Sequence, residues 1–108
     1  MSDYDVNRLI VKATEKALGL TGEYFKVLLK FHLRNKYSSD IDVVSTNPEK
    51  FHKAVSELLG ESSARLLESL IIDILIDGPP ISEQHMQDFS TFIKRIKNGE
   101  VKIKESLE

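Results

Sequence analysis

Apolar residues recur at three- and four-residue spacing in five separate stretches of the chain, and each stretch is bounded by glycine, proline or a capping side chain. A period near 3.6 residues buries one stripe of a helix and no face of a strand. The chain is therefore expected to fold as an all-α protein, a compact bundle of about five helices. Its 108 residues amount to one domain. With 41% hydrophobic and 30% charged residues, it has enough apolar surface for a core.

The first stretch covers residues 5–18. Val6, Leu9, Ile10, Ala13 and Ala17 share one face, and Gly19 is the expected stop. Arg8, Lys12 and Lys16 form a basic ridge on another face. The second helix is expected to be capped by Thr21 and to run to about Tyr37. Phe25, Leu28, Leu29, His32 and Leu33 cover one broad arc, and Tyr24, Val27 and Phe31 widen it. Only Glu23, Lys26, Lys30 and Arg34 share the remaining stripe, so this helix either sits centrally or meets a partner.

Residues 37–47 read as an ordered connection, with a very short strand around Ile41, Val43 and Val44 as the other reading. For the third helix two starts compete. Asn47 caps it with Pro48 in the first helical position, or Thr46 caps it and Glu49 closes a capping box. Phe51, Ala54, Val55, Leu58 and Leu59 form its apolar face, and Gly60 ends it.

The fourth helix is placed at 62–77, which leaves a tight corner at Gly60-Glu61. Leu67, Leu70, Ile71, Ile74 and Leu75 point inward, whereas Ile72 and Ile76 fall outside that arc and need cover from another helix or another subunit. Gly78-Pro79-Pro80 is a break. A fifth helix is expected over 82–98, capped by Ser82, with Ile81 and Met86 as a hydrophobic staple. Met86, Phe89, Phe92, Ile93 and Ile96 make its stripe. Val101 and Ile103 alternate with Lys102 and Lys104 in the tail, which adds a short strand or frays. The single domain is taken as 1–106. Leu107-Glu108 matches the remnant that vectors leave before a histidine tag and is set aside from the fold.

Several classes of chemistry are excluded. Without cysteine there is no disulfide scaffold, thiolate zinc site or cysteine nucleophile. No phosphate loop, dinucleotide fingerprint or nucleophile elbow occurs. His32 has no ligand partner at i±4 and reads as a core or interface residue. His52 and His85 have Glu49 and Asp88 at helix-surface spacing. Asp73 and Asp77 stand four apart beside Ile72 and Ile76, and read as a lysine-paired and a solvated carboxylate. No cofactor and no metal are expected.

Fifteen basic against 17 acidic residues give a net charge of −2, which excludes a binder held to nucleic acid by bulk charge. Local basic clusters remain: Lys26, Lys30, Arg34 and Lys36 on the second helix, and Lys94, Arg95, Lys97, Lys102 and Lys104 near the end. If two met on one face they could touch phosphates, so nucleic acid is kept as the alternative partner. The other reading is that the lysine stems cover apolar flanks while their charges stay in water. The acidic N-terminus lacks a secretory pattern, and the 66–76 window is too short and too charged to span a bilayer, so the expected location is cytoplasmic with no membrane contact.

Several motifs occur in one order. Ala17-Leu18-Gly19 ends the first helix, and an aromatic, leucine-rich helix then closes on Tyr37. Asp40 and Asp42 follow in an acidic loop, then Asn47-Pro48-Glu49-Lys50-Phe51. Leu58-Leu59-Gly60-Glu61, Ala64 and Leu66-Leu67-Glu68-Ser69-Leu70-Ile71-Ile72 complete the series. Over residues 6–76 this resembles the small archaeal helical domain called the Nitrosopumilus output domain. The resemblance implies a helical module that occurs alone or beside signal-receiver domains, and it brings no catalytic residues. Two departures stand out: Ser62-Ser63 where a glycine commonly follows Gly-Glu, and the added helix over 82–98.

The expected function is accordingly a noncatalytic interaction or regulatory module, homodimeric, with Val27, Phe31, Ile72 and Ile76 as candidate interface. The alternatives are a nucleic-acid-associated regulator using Lys26, Lys30, Arg34, Lys94, Arg95 and Lys97, and a small ligand binder or enzyme with a pocket near His32.

Overall fold

A computed structural model describes residues 3–78 and 88–107. Six helices follow in order: α1 (Asp3–Thr21), α2 (Glu23–Tyr37), α3 (Val43–Thr46), α4 (Pro48–Leu59), α5 (Glu61–Leu75) and α6 (Phe89–Lys97). The all-α expectation holds. α1 packs along α5 and also meets α2 and α3, while α4 packs against α2, α3, α5 and α6. Ile10, Leu18, Leu29, Leu33, Phe51, Val55, Ile71 and Ile93 form the fully buried centre.

The helix boundaries follow from local chemistry, with three departures from expectation. α1 runs through Gly19 to Thr21, because one helical glycine costs only about 1 kcal/mol and the buried Ala17 and Leu18 anchor the last turns. The break falls at Gly22, where φ is 120°, a conformation that a side chain disfavours. Thr21 is not the α2 cap: its hydroxyl donates back to the Leu18 carbonyl at 2.8 Å. The 37–47 connection is neither strand nor plain loop. One turn of helix, α3, tucks in Val43 and Val44, with Ile41 buried just ahead of it.

At α4 the two competing starts are resolved. Asn47 is the cap, its Oδ1 accepting from the Lys50 amide at 3.3 Å, and Pro48 opens the helix. Gly60, with φ 86°, ends α4 and caps α5, so one residue makes the corner.

The third departure concerns the C-terminal part. α6 starts at Phe89, not at 82. Asp88 is extended and caps it by accepting from the Ser90 amide at 3.1 Å. Ser82, Ile81 and Met86 lie outside the described residues. Lys94, Arg95 and Lys97 occupy the last turn of α6, where cations suit the dipole.

The tail does not fray. Ile103 forms an isolated antiparallel bridge with Ile76, the Lys104 amide donates to the Leu75 carbonyl at 2.8 Å, and the Asp77 amide donates to the Lys102 carbonyl at 3.1 Å. Leu107, set aside above, is buried in the main hydrophobic cluster and belongs to the fold. No described helix is long and apolar enough to cross a membrane.

Candidate functional site

Helix α2 has two apolar faces. Leu29 and Leu33 have no exposed surface and face the core, with the half-buried Phe25 beside them. Tyr24, Val27, Leu28 and Phe31 face outward, with 79%, 61%, 38% and 67% of their surface exposed. At about 100° per residue these four lie within roughly 60° of the Phe31 direction, opposite the core. Val27 and Phe31, singled out from the sequence, therefore stand on open surface. Ile72 and Ile76 do not join them. They are 0% and 6% exposed inside the same chain, Ile76 lying beneath the returning tail. The cover they needed comes from their own subunit.

Two carboxylate clusters tie neighbouring helices together. Glu57 of α4 accepts from Lys36 Nζ and from the Tyr37 hydroxyl at 2.6 Å, and His32 Nε2 lies 2.9 Å from its Oε1. Lys36 and then the Tyr37 and His32 contacts hold the Glu57 carboxyl down at about 2. Tyr37 is pushed up to about 12, by desolvation first and then by the Glu57 carboxylate. His32 is thus a rim residue fastening α2 to α4, and not a core residue. Four surface grooves of 300–560 Å³ are lined by other side chains.

The second cluster closes the α4–α5 corner. His52 Nδ1 lies 2.6 Å from Oε2 of the buried Glu68, and Nε2 lies 2.9 Å from Glu61 Oε1. Burial raises Glu68 to about 6 against the opposing pull of His52. Burial also works against the His52 imidazolium, but Glu68 and Glu61 outweigh it and raise its pKa. Ser56 Oγ stands 3.3 Å from His52 Nε2, so Ser56, His52 and Glu68 occur in the order of a nucleophile, base and orienting acid. The chemistry does not follow. The Ser56 hydroxyl donates to Glu61 at 3.1 Å, and an imidazole flanked by two carboxylates favours the cation, which cannot accept a proton. Nor do the two carboxylates converge on one point, since they bind opposite ring nitrogens. Among the described residues no group of three or more His, Asp or Glu is placed to hold a metal.

The predicted partner of His52, Glu49, is used elsewhere: it accepts from Lys94 at 3.3 Å and from Ser90 at 3.2 Å, fastening α6 to α4. His85 lies outside the described residues. Asp77 is exposed and 3.6 Å from Lys102. The basic side chains are largely engaged one by one. Lys97 donates to the Ser45 carbonyl at 2.9 Å, Arg34 sits 3.7 Å from Asp40, and Arg95 lies over the Phe92 ring. Lys26 and Lys30 are half-buried on α2, away from α6, which packs on α4 and α1. In the groove between α1 and α3, about 460 Å³, Arg8 and Lys12 face Glu15 and Asp42, so the basic ridge is balanced there.

The sequence missed the His52–Glu68 pair because its members lie on different helices. A histidine two turns before a Gly-Glu corner, with a lone Glu on the inner arc of the next helix, was the available signal.

A match to the Nitrosopumilus output domain 5 family spans residues 5–98. The chain belongs to this family. The match extends beyond the 6–76 resemblance and takes in α6, so that helix is part of the output domain. None of the curated proteins matches the chain. Among solved structures, the crystal structure of PH0832 from Pyrococcus horikoshii OT3 is similar, with a TM-score of 0.69 and 28% identity over 88% of this chain and 97% of that one. The output domain thus has an archaeal structural neighbour of nearly equal extent.

Proposed function

We propose that this output domain is a noncatalytic interaction module that works in regulation as a homodimer, with the outward face of α2 as its contact surface. The observation that carries this is the second apolar face of that helix: Tyr24, Val27, Leu28 and Phe31 side by side on open surface. Isolated exposed leucines are ordinary, whereas a contiguous stripe with two aromatics is the composition of a contact surface. Membership of an output-domain family supports a role in passing on a signal by contact. The closed His52 cluster, in which each ring nitrogen already faces a carboxylate, supports the noncatalytic part.

Sedimentation between about 1 and 100 μM tests the reading. The expected result is a dimer that dissociates on dilution and is lost in Val27→Asp with helicity unchanged. A monomer for the parent chain across that range overturns it.

A further inference from the structure

The charges beside the α2 stripe say how two copies would meet. Glu23, Lys30 and Arg34 lie along one flank of the stripe, within roughly 60–100° of the Phe31 direction. The acid is in the first turn, Lys30 is at the middle of the helix and Arg34 lies one turn past it. Glu23 and Arg34 are exposed, Lys30 is half-buried, and no ion pair engages Glu23 or Lys30 among the described residues. The other flank is committed, because His32 and Lys36 lean on Glu57 of α4.

Resting on the homodimer reading above, we propose that two copies of this chain pack α2 against α2 in antiparallel fashion, about a two-fold axis passing between Val27 and Leu28. The axis lies perpendicular to the helices, so it places the same flank of both copies on the same side and reverses their direction. Each Tyr24 then stands level with the partner's Phe31, and each Val27 with the partner's Leu28. Each Glu23 falls midway between the partner's Lys30 and Arg34, which lie about 3 Å to either side along the helix. The aromatic pair and the opposed charges are both made twice, as an isologous interface requires. A parallel pairing about an axis along the helices brings Glu23 level with Glu23 and Arg34 with Arg34, and sets the charged flanks on opposite sides. It gains none of these contacts. The near-neutral chain, net −2, adds little long-range repulsion.

The absence of cysteine makes the test clean. Single-cysteine variants at outward positions are oxidised to zero-length disulfides at a concentration where sedimentation shows the dimer. Antiparallel packing predicts that Val27→Cys links to itself. Tyr24→Cys and Phe31→Cys are expected to link when mixed and not when separate. Self-linking of Tyr24→Cys and Phe31→Cys in a dimer of unchanged mass overturns the antiparallel register and leaves the dimer standing. A monomer by sedimentation overturns the reading beneath it. Charge exchange provides an independent check. Glu23→Lys is expected to raise the dimer dissociation constant roughly tenfold, from two lost surface pairs and two new repulsions. Adding Lys30→Glu is expected to recover most of that loss. No recovery overturns the assigned pairing.

Discussion

Helices α2 and α5 have the same length, and both carry apolar residues outside the arc that one buried face uses. In α5 the surplus, Ile72 together with Ile76 just past the helix end, is 0% and 6% exposed. In α2 the surplus, Val27 and Phe31, is 61% and 67% exposed. The difference lies in what surrounds each helix, and composition alone does not distinguish them. α5 is packed by α1 on one side and α4 on another, and the tail closes over its end. α2 is packed by α1 and α4 from the inner side, and nothing among the described residues covers its outer side. An apolar surplus on a helix is therefore a demand for a neighbour, and the neighbour's position in the chain decides whether the demand is met within the subunit.

The contrast can be broken first at Ile72. Ile72→Ala is expected to cost about 3 kcal/mol in chemical denaturation, the usual scale for emptying a packed isoleucine site, without changing the solution mass. A loss below about 1 kcal/mol would mean that α5 is not the covered helix. His52→Ala should come close behind, on the order of 3 kcal/mol at neutral pH, because it strands the buried Glu68 carboxylate. The same variant should recover much of that loss as pH falls, because Glu68, released from the His52 pull that holds its pKa down, takes up a proton more readily.

The pH profile of the parent chain sharpens the comparison, since the two carboxylate clusters pull in opposite directions. His52 and Glu68 both have raised folded pKa values, so their contribution is full below the unfolded values of 6.5 and 4.5 and fades as pH rises through the folded ones, about 6 for Glu68. Glu57 is depressed to about 2, so its contribution is present above 4.5 and lost as pH falls through about 2. Thermal melts should therefore peak near pH 5. His52→Gln should remove the loss that sets in above pH 6.5, and Glu57→Gln should reduce the fall toward pH 2. The smallest effect on stability belongs to Phe31→Ala at concentrations where the chain is monomeric. It should stay within about 0.5 kcal/mol, as for other exposed positions, while the dimer is weakened.

What could be read from the sequence was what neighbouring residues determine. Pro48 fixes a helix start to within a residue because its ring pre-sets φ and lacks the donor, and the structure selects Asn47 over Thr46 as the cap. Gly60 marks the corner because its φ is positive. The outward face of α2 was equally legible, since periodicity counts apolar residues around a helix. Three features were not legible. α3 is a single turn, too short for any period to register. Gly19 looks like a stop, but burial of its neighbours overrides one unfavourable residue. The cover over Ile76 and the partner of His52 come from the tail and from the next helix, and spacing along one helix carries no information about either.

The tail clamp on α5 also bears on chain length. Leu75 and Lys104 are held together by a main-chain hydrogen bond, so the segment between them is a closed loop. The entropy of closing a flexible loop grows only with the logarithm of its length, about 0.6 kcal/mol for each doubling. The clamp joins positions 75 and 104 at a closure cost only about 0.6 kcal/mol above that of a loop half as long. The α4–α5 corner, built on Gly60 alone, closes no such loop and holds its two helices through a single residue.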